Sequence, residues 1–327
     1  MDRLGPRTEL AELHVHLGGS VDPAVMWEIA HAQGIRLPTK DYWKFVEMIT
    51  VPDSKRKSFE EYLALFHWTE LVQSSPTAIE RSVYQTIAGA YRKNNITLLE
   101  LRFNPMKRNR GGEQDLDHIM MAAVRGIDRA SLEYPVKTGI IVCLDRGFSH
   151  RLNEILLDKA LLFSGRGVVG IDMAGPATPG FKYSEYSGLF RRARKAGLGL
   201  TVHAGEDEGH ESVQEVLEHL EPERIGHGVR ATEDEATMDL LSERGTVLEV
   251  CPTSNLNTGV IKDVREMKRV FRAIRGHRLK FTLNTDGPEM LRTNLRGEME
   301  FLQSVGILKE ADVLQANRVA FSSSFVK

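Results

Sequence analysis

The sequence predicts an α/β fold, a (β/α)8 TIM barrel with a helical insertion after its first strand. Three observations lead there. Eight short apolar, β-rich runs recur along the 327 residues, most of them separated by amphipathic stretches of helix length. The runs are continuously apolar rather than alternating, which suits parallel strands covered on both faces. Most end in a polar cluster, and barrels of this kind carry their chemistry at the C-terminal ends of the strands.

In chain order the strands are expected at Leu10–His16, Thr97–Phe103, Lys137–Leu144, Gly167–Met173, Leu198–His203, Arg224–His227, Thr246–Cys251 and Leu279–Asn284. Helices are expected to include Thr77–Asn94, Asp117–Glu133, Tyr186–Ala196 and Glu211–Leu220. The segment Asp22–Gln73 is too long for one crossover helix and reads as a helical insertion on the active-site side. No repeat, low-complexity tract or clear linker divides the chain, so residues 1–327 are read as a single barrel domain.

Composition narrows the function. Hydrophobic residues make up 41% of the chain, enough for a large core, and charged residues 27%, an ordinary globular surface. A net charge of −2 offers no global positive field, so neither nucleic acid nor an anionic membrane is an expected partner. Cys143 and Cys251 lie in apolar runs and read as reduced core residues. The first residues lack an apolar signal core, and no apolar run reaches the roughly 18 residues of a membrane span. The expected location is the cytoplasm and the expected partner a small molecule; the oligomeric state stays open.

The strand ends carry a metal constellation. His14 and His16 close the first strand, and residues i and i+2 of a strand point the same way. Alone, the pair reads equally well as hydrogen-bonded histidines. His203 at the end of the fifth strand and Asp286 beyond the eighth change that. Three imidazoles and a carboxylate make a plausible zinc site, and imidazole favours Zn2+ over magnesium or calcium. Strand four ends without a lysine, so no bridging ligand of the two-metal kind is available and one zinc per chain is expected. Asp172 or Glu249 could orient a histidine ligand. The histidines at 31, 67, 118, 150, 210, 219 and 277 read as surface or structural, with His67 nearest the pocket.

Glu206 lies three residues past His203. A zinc-bound water still needs its protons managed, and a buried glutamic acid with a raised pKa suits that task. His227, between two glycines at the end of strand six, is placed to orient the attacking water. Separately, Glu206 also reads as a helix-entry carboxylate and His227 as a buried structural histidine.

The motifs HVHLGGS, DMAG, HAGE, IGHG, CPTSN and NTDGP, in this order, resemble the adenosine deaminase family of the amidohydrolase superfamily, from Glu12 to about Pro288. The resemblance implies His14, His16, His203 and Asp286 as zinc ligands, Glu206 as proton donor to purine N1, and His227 and Asp286 as the pair that positions water for attack at C6. It also implies a backbone N–H from Gly175 to purine N3, and a product in which oxygen replaces the 6-amino group. The H-x-E…P-C-x-x-C signature of the other zinc nucleobase deaminases is absent.

Two positions depart from the pattern. Gly18 stands where the family usually has an acidic residue, an aspartate in adenosine-specific members that binds the ribose 5′-hydroxyl. Gly287 stands where a second aspartate usually contacts purine N7. The loss at Gly18 suggests a nucleoside with a bulky 5′ substituent, as used by the aminodeoxyfutalosine deaminases of menaquinone biosynthesis, whose substrate ends in a carboxylate. Candidate cations for it are Lys107, Arg108, Arg110 and Arg146. The substrate-binding set expected here is Gly18, Asp172, Gly175, Gly287 and Arg146. Plain adenosine deamination is the alternative. A different amidohydrolase reaction, or a non-catalytic binding barrel, fits less well, because all six metal and acid–base residues are present.

Overall fold

The computed structural model describes residues 4–52, 57–109 and 115–327. Arg110, one of the candidate cations, lies outside the described residues. Eight strands occur where the apolar runs stand: β1 (Leu10–His16), β2 (Ile96–Phe103), β3 (Lys137–Asp145), β4 (Val168–Ala174), β5 (Gly199–Ala204), β6 (Arg224–His227), β7 (Val247–Val250) and β8 (Phe281–Leu283). Every neighbouring pair from β1–β2 to β7–β8 is parallel, in sequence order. β8 is only three residues long, so the barrel closes just beyond it. The backbone N–H of His16 donates to the Asp286 carbonyl (2.7 Å), that of Asp286 to the His14 carbonyl (2.9 Å), and that of Leu13 to Asn284 Oδ1 (3.2 Å).

The insertion contains three helices, α1 (Pro23–Ala32), α2 (Tyr42–Ile49) and α3 (Phe59–Val72), ahead of the crossover helix α4 (Pro76–Asn94). Local chemistry sets their ends. Ser58 and Glu61 form a capping box at the start of α3. Ser75 caps α4, Pro76 occupies its first position, and Asn95 ends it in the left-handed region at φ 55°. The other helices are α5 (Leu116–Ser131), α6 (His150–Leu162), α7 (Ser187–Lys195), α8 (His210–His219), α9 (Glu235–Arg244), α10 (Pro252–Asn257), α11 (Val264–Gly276), α12 (Leu295–Ser304) and α13 (Glu310–Ser323). Their apolar faces and the outer faces of the strands form one continuous core. No helix among the described residues is long and apolar enough to cross a membrane. Cys143 and Cys251 are buried and free.

Candidate active site

The barrel mouth opens into a cavity of about 530 Å³ whose floor includes His16, His203, Glu206, His227 and Asp286. The strand period delivers both β1 imidazoles: His14 and His16 skip Val15 and face the same side. His203 and His227 come from β5 and β6, paired in register through Gly226 and Ala204. Gly226 has no room for a side chain, since an added Cβ would stand 2.9 Å from His14 Cε1. His227 and Asp286 both sit in the left-handed region, at φ 61° and 64°. Such a conformation is uncommon for residues other than glycine and clusters at functional sites.

The donor atoms converge. His16 Nε2 lies 3.1 Å from His203 Nε2 and 3.4 Å from Asp286 Oδ1, and His14 Nε2 lies 3.7 Å from the same oxygen. His14 Nε2 and His227 Nε2 are buried with no hydrogen-bond partner. Burial pushes the pKa of His16, His203 and His227 down, holding them as neutral imidazoles with a lone pair to offer. Burial works against the charge of Asp286 too, but the surrounding histidines outweigh it and keep the carboxylate ionised. An orphaned His14 Nε2, the His16 and His203 nitrogens facing each other, and one carboxylate suit a soft-to-borderline divalent cation such as zinc.

Each inner histidine is held from behind by its own carboxylate. His14 Nδ1 meets Glu249 Oε2 at 2.7 Å, and His203 Nδ1 meets Asp172 Oδ2 at 3.0 Å. So both candidates for this role serve, one per histidine, the arrangement that fixes tautomer and ring orientation in zinc centres. Arg102 locks the two acids together, 2.8 Å from each. Asp172 is fully buried against these partners and does not line the cavity, which corrects its expected place among the substrate-binding residues.

Glu206 is buried with its Oε1 3.4 Å from His227 Nε2. Desolvation, then the nearby Asp286 and Asp207 charges, push its carboxyl well above the usual carboxylate range. The amide nitrogen of Asn255 donates to His227 Nδ1 at 3.1 Å, so the imidazole proton sits on Nε2, facing Glu206. Tyr62 and Ser254 donate to Asp286 Oδ2 at 3.1 and 2.7 Å. Sequence reasoning missed Tyr62, Ser254, Asn255 and Arg102. One signal was available: Phe59, Tyr62, Leu63, Phe66, His67 and Glu70 recur at helical spacing, and α3 lays that whole stripe over the cavity.

Gly18 and Gly287 are not on the cavity wall. An added Cβ at Gly18 would stand 2.7 Å from Phe66 Cδ1 and 3.1 Å from Thr69 Oγ1, so the expected open space is filled by the Phe66 ring. Gly287 packs on Gly19 and the Tyr62 hydroxyl. Gly175 and Arg146 do line the cavity. Arg146 is buried, bonded to Glu208 at 2.6 Å and Tyr183 at 3.0 Å. Arg108 is buried beside Glu70 at 3.0 Å. Lys107 remains 31% exposed, 2.5 Å from Asp145 and 5.8 Å from the centre of the Phe148 ring.

Residues 9–327 match the family described as "Adenosine deaminase". An adenosine deaminase of Vibrio atlanticus is 32% identical over 317 residues, covering 96% of this chain and 92% of that one. Among solved structures, the adenine deaminase of Arthrobacter aurescens superposes with a TM-score of 0.85 at 23% identity, covering 97% and 94% of the two chains. A Burkholderia ambifaria amidohydrolase solved with bound Zn gives 0.83 at 20% identity, covering 98% and 87%. The chain belongs to the adenosine deaminase family. It is a hydrolase acting on C–N bonds, a deaminase of the adenosine deaminase type.

Proposed function

We propose that this chain, with one zinc bound by His14, His16, His203 and Asp286, hydrolytically removes the 6-amino group of an adenine nucleoside extended at its 5′ carbon, of the aminodeoxyfutalosine kind. Zinc, when bound, supplies the positive charge that lowers the pKa of water and aligns it for attack. The related Burkholderia ambifaria amidohydrolase, whose structure carries bound Zn, supports that choice of metal. Glu206, its carboxyl pushed by burial well above the usual carboxylate range, gives its proton to purine N1, which makes C6 electrophilic. The Nε2–H of His227 and the Asp286 carboxylate hold the attacking oxygen against C6. Water releases two protons as it becomes the 6-oxo oxygen: one passes to the departing amine, the other restores Glu206, and ammonia leaves behind a 6-oxo purine. Gly175 offers a backbone N–H to purine N3 from the cavity wall.

One observation carries the choice of substrate. Where an acceptor for the 5′-hydroxyl would stand, Gly18 has no side chain and Phe66 fills its place. Phe59, Phe66, Phe103 and Phe148 line the same cavity, a wall suited to an aryl group rather than a hydroxyl. Of the described candidate cations, Lys107 is the one least enclosed, and three ammonium donors can serve both Asp145 and a substrate carboxylate. The name of the Vibrio atlanticus relative favours plain adenosine instead. The ratio of kcat/KM for aminodeoxyfutalosine and adenosine decides between them. We expect the extended nucleoside to win, and Lys107→Ala to lower its kcat/KM about tenfold, the size of one charge-assisted hydrogen bond, while sparing adenosine. A parent enzyme that prefers adenosine tenfold would refute the extension.

A further inference from the structure

Beneath the metal centre, from Glu249 behind His14 down toward the barrel floor, four charged side chains stand inside the strands: Glu100 and Arg102 on β2, Arg224 on β6 and Glu249 on β7. All four are fully buried. Buried charges persist only when paired and hydrogen-bonded, and removing one partner is strongly destabilising. Arg224 is the hub. It pairs with Glu100 through Nη2, donates from Nε to Glu249 Oε1 at 2.7 Å, and donates from Nη1 to the Ser323 carbonyl at 2.7 Å. Glu249 in turn holds His14.

The other side of this network is closed by residues 323–326, not by the barrel. Ser324 Oγ and the Phe325 backbone N–H donate to Glu100 Oε1 at 2.7 and 2.5 Å. The Phe325 ring lies flat enough under Arg224 that the guanidinium carbon is 3.6 Å from its centroid. Three glycines on consecutive strands make the cup that receives this segment. A Cβ at Gly199 would overlap the Phe325 ring, one at Gly170 would come within 2.9 Å of it, and one at Gly139 within 2.8 Å of Val326.

We propose that residues Ser323–Val326 are a positioning element of the metal centre. They plug the barrel floor and complete the hydrogen bonds of Glu100 and Arg224. Through Glu249 they fix the direction in which His14 offers its Nε2. Without the plug, water reaches the Glu100–Arg224 pair, Arg224 loses an acceptor and its aromatic support, and Glu249 gains freedom to turn away from His14. The inference rests on the zinc reading of the centre, and it extends that reading to a segment far from the reacting atoms.

The test is the rate at which zinc-loaded protein surrenders its metal to a chromophoric chelator, measured beside the thermal midpoint of the metal-free chain. Phe325→Ala empties the cup, and Gly199→Ala evicts the ring without replacing any residue of the network. Both should release zinc about tenfold faster than the parent, the usual cost of disturbing a residue behind a metal ligand. Phe325→Leu refills most of the cup and keeps the backbone bond to Glu100, so it should recover most of the slow release. Leu302→Ala, a core truncation on α12 away from the network, should lower the midpoint and leave release unchanged. Parental release rates in Phe325→Ala and Gly199→Ala, with lowered midpoints, would reduce the segment to a structural plug and overturn the proposal. If Phe325→Ala fails to fold, Gly199→Ala against Phe325→Leu makes the same comparison. A parent chain that retains no zinc refutes the metal reading, and the proposal falls with it.

Discussion

At the scale of single residues, Glu206 shows how environment makes chemistry. The same carboxyl on a helix entry in water would be ionised at neutral pH. Here burial, and after it the negative charges of Asp286 and Asp207, push its pKa well above the usual carboxylate range. Glu206→Gln should therefore retain zinc and substrate affinity while kcat falls by roughly 10²–10⁴, the usual value of a general acid. Because the protonated form is the working one, the parent's rate should decline as pH rises through the raised pKa of Glu206. The glutamine variant should lose that alkaline limb. A variant within tenfold of the parent, or one with an unchanged limb, assigns the donor elsewhere. The place of Glu206 in the cavity was legible because it stands only three positions past His203. Arg102, Tyr62 and Asn255 were not, because each acts on a residue far away in the chain: Tyr62 reaches Asp286 across 224 positions. No local pattern encodes such a pair, although a charged residue inside an apolar strand signals that a partner exists.

At the scale of elements, periodicity located all eight strands to within a few residues, since a buried parallel strand leaves an unbroken apolar run. It placed the insertion on the active-site side without resolving its inner face, where the stripe of α3 roofs the cavity and sets Phe66 over Gly18. Helix α12 hides a second feature. Glu298, in its first turn and fully buried, accepts from the Thr253 backbone N–H at 3.1 Å and the Thr293 hydroxyl at 2.7 Å, tying α12 to the first turn of α10. Burial outweighs those bonds and pushes its carboxyl up to about 7 from an ordinary 4.5. The folded state thus holds the proton more tightly than the unfolded chain. This contribution is fully present below the ordinary value and is lost as pH rises through about 7, to a total of roughly 3 kcal/mol at most. Glu298→Gln, neutral at every pH, should flatten the fall in unfolding free energy between pH 5 and pH 8. Parallel curves for parent and variant would place the pH dependence in other groups.

At the scale of the whole molecule, the four proposed metal ligands straddle the weakest seam of the barrel. β8 is three residues long, and β1 meets the chain beyond it through a single bridge, Val15 to Asp286, and a few hydrogen bonds. His14 and His16 stand on one side of that seam, Asp286 on the other, and His203 faces them from β5. An ion bound by all four would staple first strand to last, so metal binding and barrel closure become one equilibrium. A ligand that binds only the folded state stabilises it by about 4 kcal/mol when present at a thousand times its Kd. At about 2 °C per kcal/mol for a chain of this size, the thermal midpoint should rise by roughly 8 °C when zinc is restored to the metal-free protein. The gain should be local as well as global: amide exchange should slow along β1 and across residues 284–286 more than along β3, which lies away from the seam. His14→Ala, lacking one ligand on the β1 side, should lose most of the zinc-dependent shift and of the seam protection. A parent midpoint indifferent to zinc, or protection spread evenly over the barrel, would show that closure is complete without the ion and that the backbone bonds to Asp286 suffice.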